Sequence, residues 1–214
     1  MYLKILSEKI PDFLYEYANV TEMQRLKGIS MVSACEHTKL IPYHFCHTRY
    51  DRSIGVALIV WHFTQDKKQT IAGLYHDIAT PSFSHVVDYL HGDYEKQETT
   101  EQLTEKFIKN SKEIAQLLER DHISIDEIKD YHLYSIADND SPRLSADRLE
   151  YTLSDGLVTQ DAFSLESIQK IYQDMTILKN EDGEDEIGFK TLNIAEEYVT
   201  RASKMWHLFS GNNE

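Results

Sequence analysis

The chain has 214 residues with 41% hydrophobic and 27% charged residues, so it is long enough to bury a sizeable core and too apolar for intrinsic disorder. Its 36 acids outnumber its 22 bases, giving a formal net charge of −14, and no block of Lys and Arg forms a phosphate-tracking stripe; duplex nucleic acid is therefore not an expected partner. A small anion is not excluded, because a few arginines or a metal can make one pocket positive on an otherwise negative surface.

Only eight glycines and four prolines interrupt the chain, and apolar residues recur at helical spacing through most of it, so an all-α fold is expected. In chain order the pattern predicts helices at Lys9–Tyr17, Glu22–Met31, Ser53–Thr64, Lys68–Asp77, Ser84–Leu90, Thr100–Lys109, Lys112–Leu118, Ile125–Tyr131, Ser145–Thr159, Leu165–Gln173 and Thr191–Phe209. The third, with Ser53 as its N-cap, is apolar on nearly every face through Trp61, which suits a central helix surrounded by others. Residues 175–189 alternate apolar positions around the acidic run Lys179-Asn-Glu-Asp-Gly-Glu-Asp-Glu186, which predicts a small β-hairpin. The run lacks the ligand spacing of a calcium loop and is expected to be a solvated turn.

Two cysteines, Cys35 and Cys46, cannot make a disulfide framework and fit a reduced, cytoplasmic setting. No apolar run is long enough to span a bilayer, the longest lying near residues 54–63, and no export signal or membrane contact is expected. Cys35, His37, His44, Cys46 and His47 cluster without the spacing of a common zinc module, and a packed loop is the stronger expectation. His62, His91, His122, His132 and His207 are expected to be structural or surface residues.

The chemistry concentrates in three segments. In "GLYHDIATPSFSHVVD", His76 and Asp77 leave a helix end about 100° apart and can present one imidazole nitrogen and one carboxylate oxygen to a single ion. An isolated His-Asp pair is more often a surface pair or a His favouring the last helix carbonyls. In "SADRLEYTLSD", residues 147, 151 and 155 share a helix face. In "HTRYDRSIGV", Arg49 and Arg52 bracket Tyr50-Asp51 at the mouth of the apolar helix.

Together these segments, in this order, resemble the HD-domain metal-dependent phosphohydrolase superfamily, in particular the branch of the deoxynucleoside triphosphate triphosphohydrolases. The resemblance runs from "MQRLKGI" at Met23 to Asp155, about two-thirds of the chain. It implies a multi-helix HD bundle, here read as a single HD domain over residues 1–214. It also implies a divalent ion (Mn, Fe, Ni, Zn or Mg) on His76, Asp77 and Asp147, and hydrolysis of a nucleotide or other small phosphate ester. By the same resemblance Arg49 and Arg148 contact phosphate, Tyr151 and Asp155 line the substrate pocket, and His85 or Asp88 orients water or handles the proton. A homodimer is a further expectation from that branch.

Several positions depart from the pattern. The resemblance places its first metal-binding His at position 52, where this chain has Arg52. An arginine has no lone pair to give, and a like charge ~4 Å away costs on the order of 4 kcal/mol at an effective dielectric of 20, about twice that beside a divalent ion. Arg52 must turn away, or replace the ion's charge by pairing with Asp77 or Asp147. Thr80 replaces a His within the second segment, and Lys96 or Gln97 stands where that branch has a His beside its Glu; neither Thr nor Gln serves as a general acid near neutral pH. Two functions follow: a phosphohydrolase, or a catalytically impaired HD module that binds a nucleotide or protein partner without turnover. A third account makes Arg52 a substitution peculiar to this chain.

Overall fold

A computed structural model describes residues 2–31, 47–82, 103–158 and 162–210. Among the described residues it is an α-helical bundle with one small β-hairpin, as the apolar spacing predicts. Helices α1 (Leu3–Leu6), α2 (Asp12–Ala18) and α3 (Thr21–Gln24) lead through a 3₁₀ turn at Arg25–Gly28. They are followed by α4 (Arg49–Thr64), α5 (Lys67–Tyr75), α6 (Thr104–Asn110), α7 (Lys112–Asp121), α8 (Ala146–Val158), α9 (Leu165–Asp174) and α10 (Leu192–Ser210). The predicted helices at Ser84–Leu90 lie outside the described residues.

Helix α4 is the axis of the bundle, packed chiefly against α5 and α8. Residues 52–60 are all buried, so neither face reaches water and the sequence shows almost no amphipathic stripe there. Its start is not at Ser53. Thr48 caps the helix: its hydroxyl accepts from the Asp51 N–H at 3.2 Å, and Asp51 Oδ2 accepts the Thr48 N–H at 3.0 Å. This reciprocal box sets the first turn four residues upstream of the predicted start and places Arg49 and Arg52 inside the helix, while Ser53 is fully buried.

Residues 125–131 differ from expectation too. Ser124 caps a three-residue 3₁₀ turn, Ile125–Glu127, and Asp130 caps a second, Tyr131–Leu133. Two side chains that satisfy the backbone locally break what apolar spacing alone reads as one helix. The hairpin pairs β1 (Met175–Lys179) antiparallel to β2 (Asp185–Phe189), with Ile177 opposite Ile187. Its acidic turn is closed by Asn180, whose Oδ1 accepts from Asp182 and Glu184 N–H at 3.0 and 2.9 Å, and Arg143 pairs with Glu181 and Asp182 at 2.8 and 2.6 Å. Gly183 takes φ +80°, which a side chain would resist.

Among the described residues, no helix is long and apolar enough to cross a membrane.

Candidate functional site

Three elements meet at one buried centre. Helix α4 supplies Arg49 and Arg52, the turn after α5 supplies His76 and Asp77, and the first turn of α8 supplies Asp147. Arg25 anchors that second turn from outside: its two terminal nitrogens donate to the carbonyls of Thr80 and Ile78 at 2.7 and 2.5 Å, and its guanidinium lies over the Phe107 ring.

Arg52 neither turns away nor reaches solvent. Its NH1 donates to Asp77 Oδ2 at 2.9 Å and its NH2 to Asp147 Oδ1 at 2.5 Å, so one guanidinium fork joins the two carboxylates that the sequence nominates as ligands. Tyr151 flanks the fork, its ring centroid 5.9 Å from the guanidinium carbon. Arg49, only 2% exposed, donates from NH1 to the same Asp77 oxygen at 2.9 Å. Its partner is thus Asp77 and not Asp51, which is spent on the helix cap. Thr80, standing where the resemblance expects a His, donates its hydroxyl to Asp77 Oδ1 at 3.0 Å. Burial alone would raise the Asp77 pKa, but Arg49, Arg52 and His76 outweigh it and hold the carboxyl well below its usual range.

His76 is oriented by its backbone. Nδ1 lies 2.7 Å from the carbonyl oxygen of Gly73, which can only accept, so Nδ1 carries a proton. Nε2 faces Asp77 Oδ2 at 3.4 Å and Asp147 Oδ1 at 3.3 Å and makes no hydrogen bond among the described residues. Two carboxylates facing Nε2 favour a second proton there, and the burial that would lower the His76 pKa is outweighed by Asp77 and Asp147, which raise it. A cavity of about 270 Å³ is lined in part by His76, Thr104, Tyr131 and Lys129.

The donor set His76, Asp77 and Asp147 has the mixed N/O chemistry of a divalent site. It does not fit an ion with Arg52 in place. Each carboxylate oxygen that would coordinate already accepts a guanidinium hydrogen, and a metal ~2.1 Å from those oxygens would overlap the fork. Among the described residues, no group of three or more His, Cys, Asp or Glu side chains is arranged to hold a metal.

The other nominated residues separate. Arg148 turns from the centre to the loop before α8, where its Nε donates to the Arg143 carbonyl at 2.8 Å and its NH2 bonds the Asn139 carbonyl and side chain and pairs with Asp138. Asp155 belongs to a second buried group built on Glu150, which the sequence reading missed. Glu150 is fully buried; Oε1 accepts the Tyr2 hydroxyl at 3.3 Å and lies 3.5 Å from His47 Nε2, and Oε2 accepts the Ser154 hydroxyl at 3.3 Å. Burial and the nearby Glu150 push the Asp155 pKa up to about 6. His85, Asp88, Lys96 and Gln97, like Cys35, His37, His44 and Cys46, lie outside the described residues.

Gly55 is the available signal for Glu150: a Cβ there would stand 2.6 Å from Glu150 Cγ and 2.6 Å from Oε1. A glycine in an otherwise apolar helix interior marks such an approach. Gly55→Ala is expected to lower stability by about 1–2 kcal/mol in a denaturant titration, the overpacking exceeding the ~1 kcal/mol gained in helix propensity. An unchanged or higher midpoint contradicts the close packing of Glu150 on α4.

No family model matches the chain. Against curated proteins, it is 33% identical over 147 residues to the uncharacterised protein YdhJ of Bacillus subtilis, covering 68% of this chain and 44% of that one. It is 27% identical over 235 residues to the uncharacterised protein MG461 of Mycoplasma genitalium, 95% of this chain and 53% of that one. A third relative carries the name of an activity. This is the metal-dependent phosphohydrolase cns2 of Cordyceps militaris, 27% identical over 170 residues, 78% of this chain and 46% of that protein. The chain spans about half the length of the curated relatives it matches.

Proposed function

We propose that residues 1–214 form one HD-type unit of the phosphohydrolase superfamily that binds a small phosphate ester, a nucleotide being the expected class, without metal-dependent turnover. The observation that carries this reading is the Arg52 fork between Asp77 and Asp147, which supplies a positive charge where a divalent ion would bind those oxygens. Arg49, Arg52 and a protonatable His76 face two carboxylates, so the centre is close to neutral without any ion. A phosphate entering beside His76 would meet cationic groups already fixed in place by Asp77 and Thr80. A membrane or duplex nucleic acid is not part of this reading, and a homodimer would be compatible with it.

The competing reading is an active metal-dependent phosphohydrolase, favoured by the convergence of His76, Asp77 and Asp147 and by the name of the fungal relative. Arg52→His separates the two. After equilibration with Mn(II) and desalting, metal analysis is expected to find no stoichiometric Mn in the natural chain and about one ion in Arg52→His, whose new imidazole supplies the missing ligand. Stoichiometric Mn in the natural chain, together with turnover of p-nitrophenyl phosphate, would sink the proposal.

A further inference from the structure

A cleft of about 980 Å³ lies at the other end of α4 from Arg52, between α1 and the loop after it, α9, and the start of β1. Trp61 and His62 line it from the last turn of α4, nine and ten residues beyond Arg52, roughly 14 Å along the axis at 1.5 Å per residue. It is therefore a separate site from the Arg52 centre, and its size is that of a small-molecule pocket, about 300–1,000 Å³.

Two properties set this cleft apart from the rest of the surface. The first is charge. Lys4, Lys9 and Lys190 line it, and none of them makes an ion pair among the described residues, although carboxylates are in large excess over the chain. Lys67, Lys129, Lys170 and Lys179 each find one, whereas Lys27, Lys106, Lys112 and Lys204 do not, so what marks the cleft is the grouping of its lysines. The acids facing the same space are Glu8 and Asp12, so three cations meet two anions here, while the whole chain has 36 acids to 22 bases. The sign of the charge is locally inverted, and three lysines share the cleft without an ion pair among the described residues.

The second is an aromatic wall. His62 stacks obliquely on Tyr172, with ring centroids 5.0 Å apart, and meets Phe63 edge-on at 4.8 Å. Tyr172 is fixed from behind by the bond from its hydroxyl to the Leu6 carbonyl at 3.0 Å. Lys190 is steadied at the rim, its ammonium donating to the Gln173 carbonyl at 3.0 Å. Partial burial, then Lys190, pull the His62 pKa down, so at neutral pH the imidazole adds a neutral ring face and no fourth cation.

We propose that this cleft is a second binding site, for a small aromatic anion: a planar ring against His62, which Tyr172 backs, carrying a carboxylate, sulfonate or phosphate toward Lys4, Lys9 and Lys190. The ring chemistry and the charge chemistry are both needed. The lysines alone would hold any anion weakly in water, and the rings alone would not select an anion.

The probe is 8-anilinonaphthalene-1-sulfonate, titrated into the full chain carrying Trp206→Phe, which leaves Trp61 as the single tryptophan of the two in the sequence. Saturable binding with quenching of Trp61 is expected, weakening as salt rises from about 0.05 to 0.5 M, which shortens the Debye length from over 10 Å to a few ångströms. Lys4→Glu/Lys190→Glu is expected to weaken binding about tenfold or more, and Lys4→Gln/Lys190→Gln by less, with thermal midpoints unchanged because both side chains are exposed. The proposal is overturned by no saturable binding, by binding that leaves Trp61 unquenched, or by equal affinity in the folded charge-reversed variant. None of these readouts depends on the Arg52 centre, so failure here and failure of the function proposed above are independent.

Discussion

Arg52→Ala is expected to unfold about 10 °C below the natural chain in a thermal melt at pH 7, a loss of about 3 kcal/mol. Breaking a buried ion pair from one side costs about 3–5 kcal/mol, because the remaining charge stays buried without compensation. The lower end applies here. Asp77 keeps Arg49 and Thr80 after the substitution, whereas Asp147 loses its 2.5 Å guanidinium partner. For a chain of this size each kcal/mol moves the midpoint by about 2–4 °C. Mn(II) is expected to restore part of the loss in Arg52→Ala and to leave the natural chain unmoved. With the fork gone, His76, Asp77 and Asp147 face one vacated position, and an ion at 100 times its Kd would contribute about 2.7 kcal/mol. A midpoint within 2 °C of the natural chain would mean that Arg52 is not the counter-charge of these carboxylates. An equal response of both proteins to Mn(II) would mean that the ion binds elsewhere.

The same centre shows where sequence reasoning reaches its limit. That α4 is a central helix follows from an apolar run with no polar face, and the hairpin follows from period-two alternation around a polar turn; both are local patterns. The start of α4 was legible as well, since Thr48-x-x-Asp51 is a capping pattern, but Ser53 lies closer to the apolar run and competes for the same role. The convergence of Arg52, Asp77 and Asp147 is not local. The sequence restricts Arg52 to turning away or pairing with one of those acids, and only the packing of α4 against α5 and α8 decides that it pairs with both.

Arg148 illustrates the opposite difficulty. Its position beside Asp147 nominates it for phosphate, yet the loop carbonyls of Asn139 and Arg143 stand nearer than any centre and take its donors. Glu150 was missed because acidic residues on a helix read as exposed. Only Gly55, on another helix, records that a carboxylate comes close, and a glycine does not say what it makes room for. The residues that build a buried polar group are thus scattered among Tyr2, His47, Glu150 and Asp155, each unremarkable in its own segment.

That second group gives the chain a stability optimum below neutral pH. Asp155 has its pKa raised to about 6 by burial and by Glu150, against an ordinary value near 3.9. An acid whose folded pKa is raised favours folding when protonated. Its contribution is full below about pH 4 and is lost as pH rises through 6, amounting to about 2–3 kcal/mol at 1.36 kcal/mol per unit. His47 acts in the same direction: burial lowers its pKa, but Glu150, Asp51 and Asp155 more than reverse this, so its stabilisation is full below 6.5 and fades above its raised value. Asp77 acts oppositely, since its depressed pKa stabilises above about pH 4 and is lost as pH falls further. Urea midpoints measured from pH 3 to 8 are therefore expected to peak near pH 4 and to fall on both sides. Asp155→Asn should match the natural chain near pH 3.5 and exceed it near pH 7.5, because the neutral amide removes the cost of ionising beside Glu150. If the two profiles run parallel across the whole range, Asp155 does not titrate inside the fold, and the alkaline limb must come from His47 or from the surface.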